Sequence, residues 1–590
     1  MSALALAPVL AHAGATELSS WRPIVILAVL FTASFVFLAV RGDDDRPHAL
    51  PLRILLRGAN GIERLTGVAG WAVGMVAIAL FGLLMAGIGF YADVAWHVDL
   101  GRDKVLFTAP HTMIVLGLLI IAVSSLLGVT VASITKIDTP LRWKALRVPW
   151  SAVPLGLLGF TALAGFPLDD VWHRMYGIDV TMWSPTHLIM ICGASLSPIP
   201  CWLALAEAGA KPTDGGWARA LHVVCGWLML AGLSSVLGEF EFGVPQFQQL
   251  YHPVLIALAA GVALTACRVV LGPVWTLVPV IVTVGERIVQ GSMVGTGSVA
   301  PDGHVLTRPA ALYLGCAVAV ELAGLVLGTR NRLRFAIGAG VSIATIGMAA
   351  EWWWNANAHQ PWTSNLLPAG VVLPAIVAIG AAVIGASFGS AILGAPARLG
   401  RPVLGIAFAA VVAGLLLPLP RTTGDVDVDM KLEPVGAEMR VRATLDPPDA
   451  ADEAKWFQVT AWQGGGMVLA DMQRTGPGEY VSSRTVPVTG KWKTMLRLHR
   501  GAEMMAVPIF LPADAEIDEA EVPAVDRRGP FVGEQQYLLR ESKSGPGWYA
   551  VVAYILIAGI AALWIGSIGL AAVRIPSERP PTPARTEERV

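Results

Sequence analysis

Apolar runs of about 20 residues recur along the whole sequence, and that is the length that spans the ~30 Å hydrocarbon layer of a bilayer. Such runs lie near 22–40, 67–92, 110–134, 149–168, 187–207, 219–238, 253–271, 273–293, 309–328, 335–354, 366–393, 402–419 and 547–573. They predict a polytopic α-helical membrane protein with about 13 transmembrane helices. The run 273–293 is the weakest, because Glu286 and Arg287 interrupt it. Composition points the same way: 55% of residues are hydrophobic and 14% charged, against roughly a quarter charged in soluble domains. Twenty tryptophans suit interfacial aromatic belts. Membrane lipid is therefore the expected surrounding, and a formal net charge of −1 gives no basis for nucleic-acid binding.

Loop charges orient the chain. Arg41, Arg46, Arg53, Arg57 and Arg64 follow the first run, and Lys136, Arg142, Lys144 and Arg147 follow the third. Arg330, Arg332 and Arg334 separate the ninth and tenth, and Arg574, Arg579, Arg585 and Arg589 close the chain. These loops alternate correctly if all are cytoplasmic. The expectation is a multi-pass protein of the plasma membrane, N-terminus outside and C-terminus inside. The N-terminal stretch ending in Ala11-His12-Ala13-Gly14 has a signal-like end but no positive start, so it reads as an external tail. Five cysteines, all in apolar runs and none in a CxxC pair, indicate neither a disulfide framework nor a thiolate cluster.

The stretch 421–546 is polar and alternating. Asp425-Val426-Asp427-Val428-Asp429-Met430 and Met439-Arg440-Val441-Arg442-Ala443-Thr444-Leu445 have strand periodicity. Further strand-like runs are separated by turn signals such as Pro447-Pro448, Gly464-Gly465-Gly466 and Gly476-Pro477-Gly478. The pattern predicts an extracytoplasmic β-sandwich before the last helix. The chain then divides into an external tail (1–21), a first span with its basic loop (22–66), a region with a repeated polar motif (67–210), further spans (211–420), the β-sandwich and linker (421–546), the last span (547–573) and a cytoplasmic tail (574–590).

The repeated motif carries the chemistry. One copy runs Asp93-Val94-Ala95-Trp96-His97 and continues through Gly101 and Asp103 to His111. The other runs Asp169-Asp170-Val171-Trp172-His173 and continues through Gly177 and Asp179 to His187. Every matched pair is 76 positions apart, which reads as an internal duplication of a helical hairpin. Asp and His at i and i+4 share one helix face, and the later His opens the next helix. Two imidazoles and a carboxylate form a metal-ligand set with open positions, suited to copper or non-haem iron, with zinc also acceptable. The alternative is ordinary interfacial polarity, since Asp, His and Trp are all common where membrane meets water. Two further groups fall on the same side: Glu239, Glu241 and His252, and Glu351, Asn355 and His359. They read as partners of the metal ligands, as a third site, or as interfacial polarity.

The motif resembles one found in the particulate methane and ammonia monooxygenases, in the metal-binding membrane subunit of that family. The family places Asp-x3-His with a later His on one hairpin and Asn-x3-His with a later His on another. The resemblance implies one copper site at Asp93, His97 and His111 and a second at Asp169, His173 and His187. Asp169 stands where the family has Asn. The likeness covers roughly residues 67–210. The β region resembles small FixH or YtkA-type periplasmic domains, through Trp462-Gln463-Gly464-Gly465-Gly466, Gly478-Glu479-Tyr480 and Gly490-Lys491-Trp492-Lys493. Met495, His499, Met504 and Met505 are candidate Cu(I) ligands there, with core packing as the alternative. The leading expectation is a copper-binding membrane oxidoreductase of the copper membrane monooxygenase type. The alternatives are a copper transport or oxidase-assembly factor, and a proton or ion transporter. Other membrane subunits or a periplasmic copper or redox protein are the expected partners.

Overall fold

The computed structural model describes residues 22–41, 50–101, 107–177, 182–242, 248–294, 311–356, 362, 364–395, 399–417, 424–454, 456–500, 503–538, 540 and 543–577. Among these, nine helices are long and apolar enough to cross a bilayer. They are α1 (Gly70–Asp99), α2 (Ala109–Ile134), α3 (Ala152–Tyr176), α4 (Pro185–Glu207), α5 (Gly216–Phe242), α6 (Tyr251–Leu271), α7 (Arg332–Asn355), α8 (Ala369–Ile392) and α9 (Gly547–Ile575). The other four expected spans are helical too. Leu314–Leu327 has 14 residues and Arg401–Leu416 has 16, or ~21 and ~24 Å at 1.5 Å per residue. Leu277–Val294 has 18 residues and carries Glu286 and Arg287, and Arg22–Arg41 is a 20-residue helix that is largely apolar between its terminal arginines. Among the described residues, nine of the roughly thirteen expected spans therefore meet both the length and the hydropathy of a bilayer crossing.

Small residues set the helix packing around the repeated motif. A Cβ on Gly117 would lie 2.5 Å from the Gly82 carbonyl oxygen, so α1 and α2 touch backbone to backbone. This fits the general use of small residues at helix crossings in lipid, where close van der Waals contact drives association. The interior continues through α3, α4, α5, α6 and α8 as one apolar core. The helix α9 lies at the margin, with little of its length buried. Trp564 of α9 anchors it by donating a hydrogen bond to Thr161 of α3 at 3.0 Å.

The β region folds as a single ten-stranded sheet. Its strands are β1 (Asp427–Val435), β2 (Glu438–Asp446), β3 (Trp456–Trp462), β4 (Met467–Gly476), β5 (Glu479–Ser482), β6 (Val486–Pro487), β7 (Lys493–Arg500), β8 (Glu503–Phe510), β9 (Arg527–Pro530) and β10 (Val532–Gly533). The order is β9-β1-β2-β5-β4-β3-β7-β8-β10, with β6 beside β2. The first and last strands of that path are separated in sequence only by Phe531, so the sheet curls until its ends meet. The strands expected to form a sandwich thus belong to one nearly closed sheet. The reason is β4, whose first half pairs with β3 and second half with β5, joining what would otherwise be two sheets. Alternation is clear in β2, where Val441, Ala443 and Leu445 are buried and Arg442 and Thr444 exposed. Strands β3 and β7 are instead buried on both faces.

The second face of β7 holds a buried ionic group. Glu534 receives two hydrogen bonds from Arg497, at 2.8 and 2.9 Å, and lies 2.6 Å from His499 Nε2. Burial alone raises the Glu534 carboxyl, but Arg497 and His499 outweigh it and bring it from the ordinary 4.5 down to about 2. A depressed acid stabilises the fold above its unfolded value and loses that contribution as pH falls toward the folded one. The β domain should therefore lose stability between pH 4.5 and about 2. Glu534→Gln should destabilise it by about 3–5 kcal/mol at neutral pH, because Arg497 is left buried and uncompensated, and should flatten the acid limb in tryptophan-fluorescence unfolding. A second prediction concerns the helices: Gly117→Val should cost about 1–3 kcal/mol through overpacking, read as a lower thermal midpoint in detergent.

Candidate metal centres

Two Asp-His-His sets are built in the same way. Asp93 and His97 sit one turn apart near the end of α1, and Asp169 and His173 near the end of α3. Each helix stops at a glycine with left-handed backbone, Gly101 at φ +91° and Gly177 at φ +106°, a conformation that costs other residues a steric penalty. The chain turns back, and the next helix starts on a hydroxyl N-cap. Thr108 accepts from the His111 amide at 3.3 Å, and Ser184 from the His187 amide at 3.1 Å. The cap fixes the later histidine in the first turn of α2 or α4, opposite its Asp and His partners.

The ligand atoms of each set lie within 4.8 Å of one another. His97 Nε2 and His111 Nε2 are 3.5 and 3.1 Å from Asp93 Oδ1. His173 Nε2 and His187 Nε2 are 3.4 and 3.3 Å from Asp169 Oδ2. Asp93 Oδ1 and His173 Nε2 are buried and, among the described residues, make no contact of hydrogen-bonding geometry. His97 Nδ1 lies 3.1 Å from the Gly101 carbonyl oxygen. A carbonyl only accepts, so Nδ1 carries a proton, and in the neutral imidazole the Nε2 lone pair would face the Asp93 carboxylate oxygen. Lone pair facing anion is repulsive unless a cation or an extra proton sits between them. Among the described residues these are the sets of three or more His, Cys, Asp or Glu that converge in this way.

Both sets open onto one cavity of about 230 Å³. Asp93, His97, His111, Asp169 and His187 line it, with apolar walls from Leu83, Phe90, Ile114, Phe166, Met190 and Leu228. Phe166 connects the two sets: its ring stands edge-on to His111 at 6.0 Å, one turn before Asp169 on α3. The β domain supplies the far wall through Trp462, Gln463 and Leu538.

That domain also holds the ends of both motif helices. Gln463 and Gly465 amides donate to the Val98 and Asp99 carbonyls at 3.2 and 3.0 Å, and Gln463 Nε2 donates to the His97 carbonyl at 3.3 Å. The Lys543 amide donates to the Tyr176 carbonyl at 2.7 Å. Helix ends leave their last carbonyls without intrahelical partners, and here the β domain and its linker satisfy them beside each set.

The remaining sequence candidates are placed as follows. Glu239 lines the cavity. Glu241 is salt-bridged to Arg287 at 3.1 Å and accepts a hydrogen bond from Tyr91. His252 stacks on Phe240 at 4.7 Å and accepts from Trp362 at 3.1 Å. Glu351 accepts the Tyr313 and Leu312 amides at 2.6 and 3.3 Å, which caps Leu314–Leu327, and Asn355 donates to the Glu351 carbonyl. His359, Asp103 and Asp179 lie outside the described residues. In the β domain, Met504 is directly opposite His499, but Met505 is opposite Leu498 and faces the other side of the sheet. Met495 lies four residues from His499 along β7, ~13 Å at strand spacing, and packs with Trp462 and Leu538. His499 Nε2 is engaged by Glu534. The four residues therefore do not converge as a Cu(I) site.

Sequence reading missed Gln463 as a holder of α1, and it missed Thr186. Aligning the two motifs residue by residue exposes Thr186, since it pairs with Pro110 in the same register. Comparison with protein-family models finds no match, nor does comparison with curated proteins or with solved structures. If each set holds an ion, His97→Ala and His173→Ala should each remove about one of two equivalents of bound metal, measured by elemental analysis of protein purified in detergent.

Proposed function

We propose that this chain is a copper-binding integral membrane oxidoreductase of the copper membrane monooxygenase type, acting on a small apolar molecule. The observation that carries this is the opening of both Asp-His-His sets onto one largely apolar cavity. Two imidazoles and a carboxylate leave coordination positions open, and copper stands at the top of the divalent affinity order for such N/O ligands. Copper held there supplies one-electron chemistry with dioxygen. The chain's own residues do the rest. Asp93 and Asp169 offset the ion's charge, the Gly101 carbonyl fixes the tautomer of His97, and the apolar walls favour an apolar substrate entering from lipid. The loop charges favour an extracytoplasmic position for the β domain and both sets. A periplasmic copper or redox protein, or a further membrane subunit, would supply metal and electrons from that side.

One observation favours a second reading. The proton that would relieve the His97–Asp93 contact is as good a solution as a metal ion, which is the arrangement of a proton or ion transporter. Metal loading separates these. The oxidoreductase reading predicts copper that survives dialysis, and dioxygen uptake with added quinol that falls at least about 100-fold in His97→Ala and His173→Ala. Copper that exchanges freely, with no uptake, would instead mark a copper transport or assembly factor. Transport that survives chelation but not Asp93→Asn would mark the proton carrier, and either result would overturn the enzyme reading.

A further inference from the structure

We propose that the two sets do different work: the Asp93 set is where a small molecule in the cavity meets the metal, and the Asp169 set is a constrained site with Thr186 as its positioning residue. This rests on the reading of both sets as metal sites.

Three observations separate them. The first is a chain of hydroxyls present in one set alone. Thr186 Oγ1 donates to Asp169 Oδ1 at 2.5 Å. Ser184 Oγ lies 3.0 Å from Thr186 Oγ1 and accepts the His187 amide at 3.1 Å. Since the Thr186 proton is given to Asp169, Ser184 donates to Thr186. The directional chain runs from the His187 backbone through Ser184 and Thr186 to the carboxylate. It occupies Oδ1 and leaves Oδ2, the oxygen that both imidazoles face, as the ligand atom. It also ties the position of one ligand to the backbone of another. In the Asp93 set the matching residue is Pro110, which has no hydroxyl, and among the described residues no hydroxyl donates to Asp93.

The second is access. Asp93, His97 and His111 all line the cavity, whereas the Asp169 set presents Asp169 and His187 to it. Asp169 is also the more buried carboxylate, its side chain 7% exposed against 16% for Asp93. The third is the far wall. Trp462 and Gln463 face the same cavity, and Gln463 holds the His97 carbonyl. The β domain therefore bounds the space in front of the Asp93 set. A carboxylate locked by a hydrogen bond favours a fixed coordination number. An unlocked carboxylate beside open volume favours ligand exchange. The ligand class is a small, lone-pair-bearing molecule of the size of dioxygen or azide.

The test uses the full-length protein in detergent, loaded with Cu(II), with azide as the probe and electron paramagnetic resonance as the readout. The account predicts two copper signals. Azide shifts the one that His97→Ala removes and leaves unchanged the one that His173→Ala removes. Thr186→Val weakens copper binding at the Asp169 set by about 10-fold or more and changes the hyperfine pattern of that signal alone. Thr186→Ser, which keeps the hydroxyl, restores both. Azide acting on the His173-dependent signal, or on both equally, would overturn the assignment. So would a Thr186→Val protein with both signals and both affinities unchanged. Wild type that binds no copper would defeat the metal reading itself, a result distinct from two bound but equivalent ions.

Discussion

Everything at the functional end of the molecule turns on a carboxylate facing two imidazole nitrogens inside an apolar space, twice. An isolated buried carboxylate is costly, and a lone pair turned toward it is more so. The cavity compounds this, because Asp93, Asp169, Glu239 and Glu286 all line it and its guanidinium, Arg287, is already engaged with Glu241. Glu286 is satisfied by the neutral donors Trp227 and Gln290, at 2.9 Å each. Asp93 and Asp169 thus sit where an entering cation would be stabilised.

The scaffold serves that arrangement from both sides. Within the helical bundle, α1 and α2 meet backbone to backbone at Gly82 and Gly117, which sets the spacing of the hairpin. At the helix ends, Gly101 and Gly177 turn the chain, and hydroxyl caps start the returning helices. Beyond the bundle, amides of the β domain and its linker complete the hydrogen bonding of α1 and α3 where those helices would otherwise end in unsatisfied carbonyls. The β domain is therefore part of the site's wall and not an independent appendage.

Much of this was legible in the sequence, for identifiable reasons. A 20-residue apolar run has one stable form in lipid, so helices were recognisable wherever such runs occurred. Among the described residues nine of these runs meet the length and hydropathy of a crossing, while Leu314–Leu327 and Arg401–Leu416 are helices of 14 and 16 residues. Both ligand sets could be read from i,i+4 spacing and a matched later histidine, since local helix geometry alone brings these residues together. Contacts between distant segments could not be read that way. Gln463 reaches His97 across 366 positions, and the curling of the sheet depends on β4 serving two partners. The methionines of β7 and β8 misled for a related reason: they are close in sequence, but strand alternation turns Met505 away from His499.

The most direct test of the central claim is X-ray absorption at the copper edge on copper-loaded, detergent-purified protein. The account predicts a shell of nitrogen and oxygen ligands with imidazole scattering corresponding to about two histidines per ion, and no sulfur. That imidazole signal should fall by about half in a protein carrying both His97→Ala and His173→Ala, if copper is retained at all. A sulfur-dominated shell, pointing to the methionines or cysteines, would contradict it. So would an unchanged spectrum in the double variant.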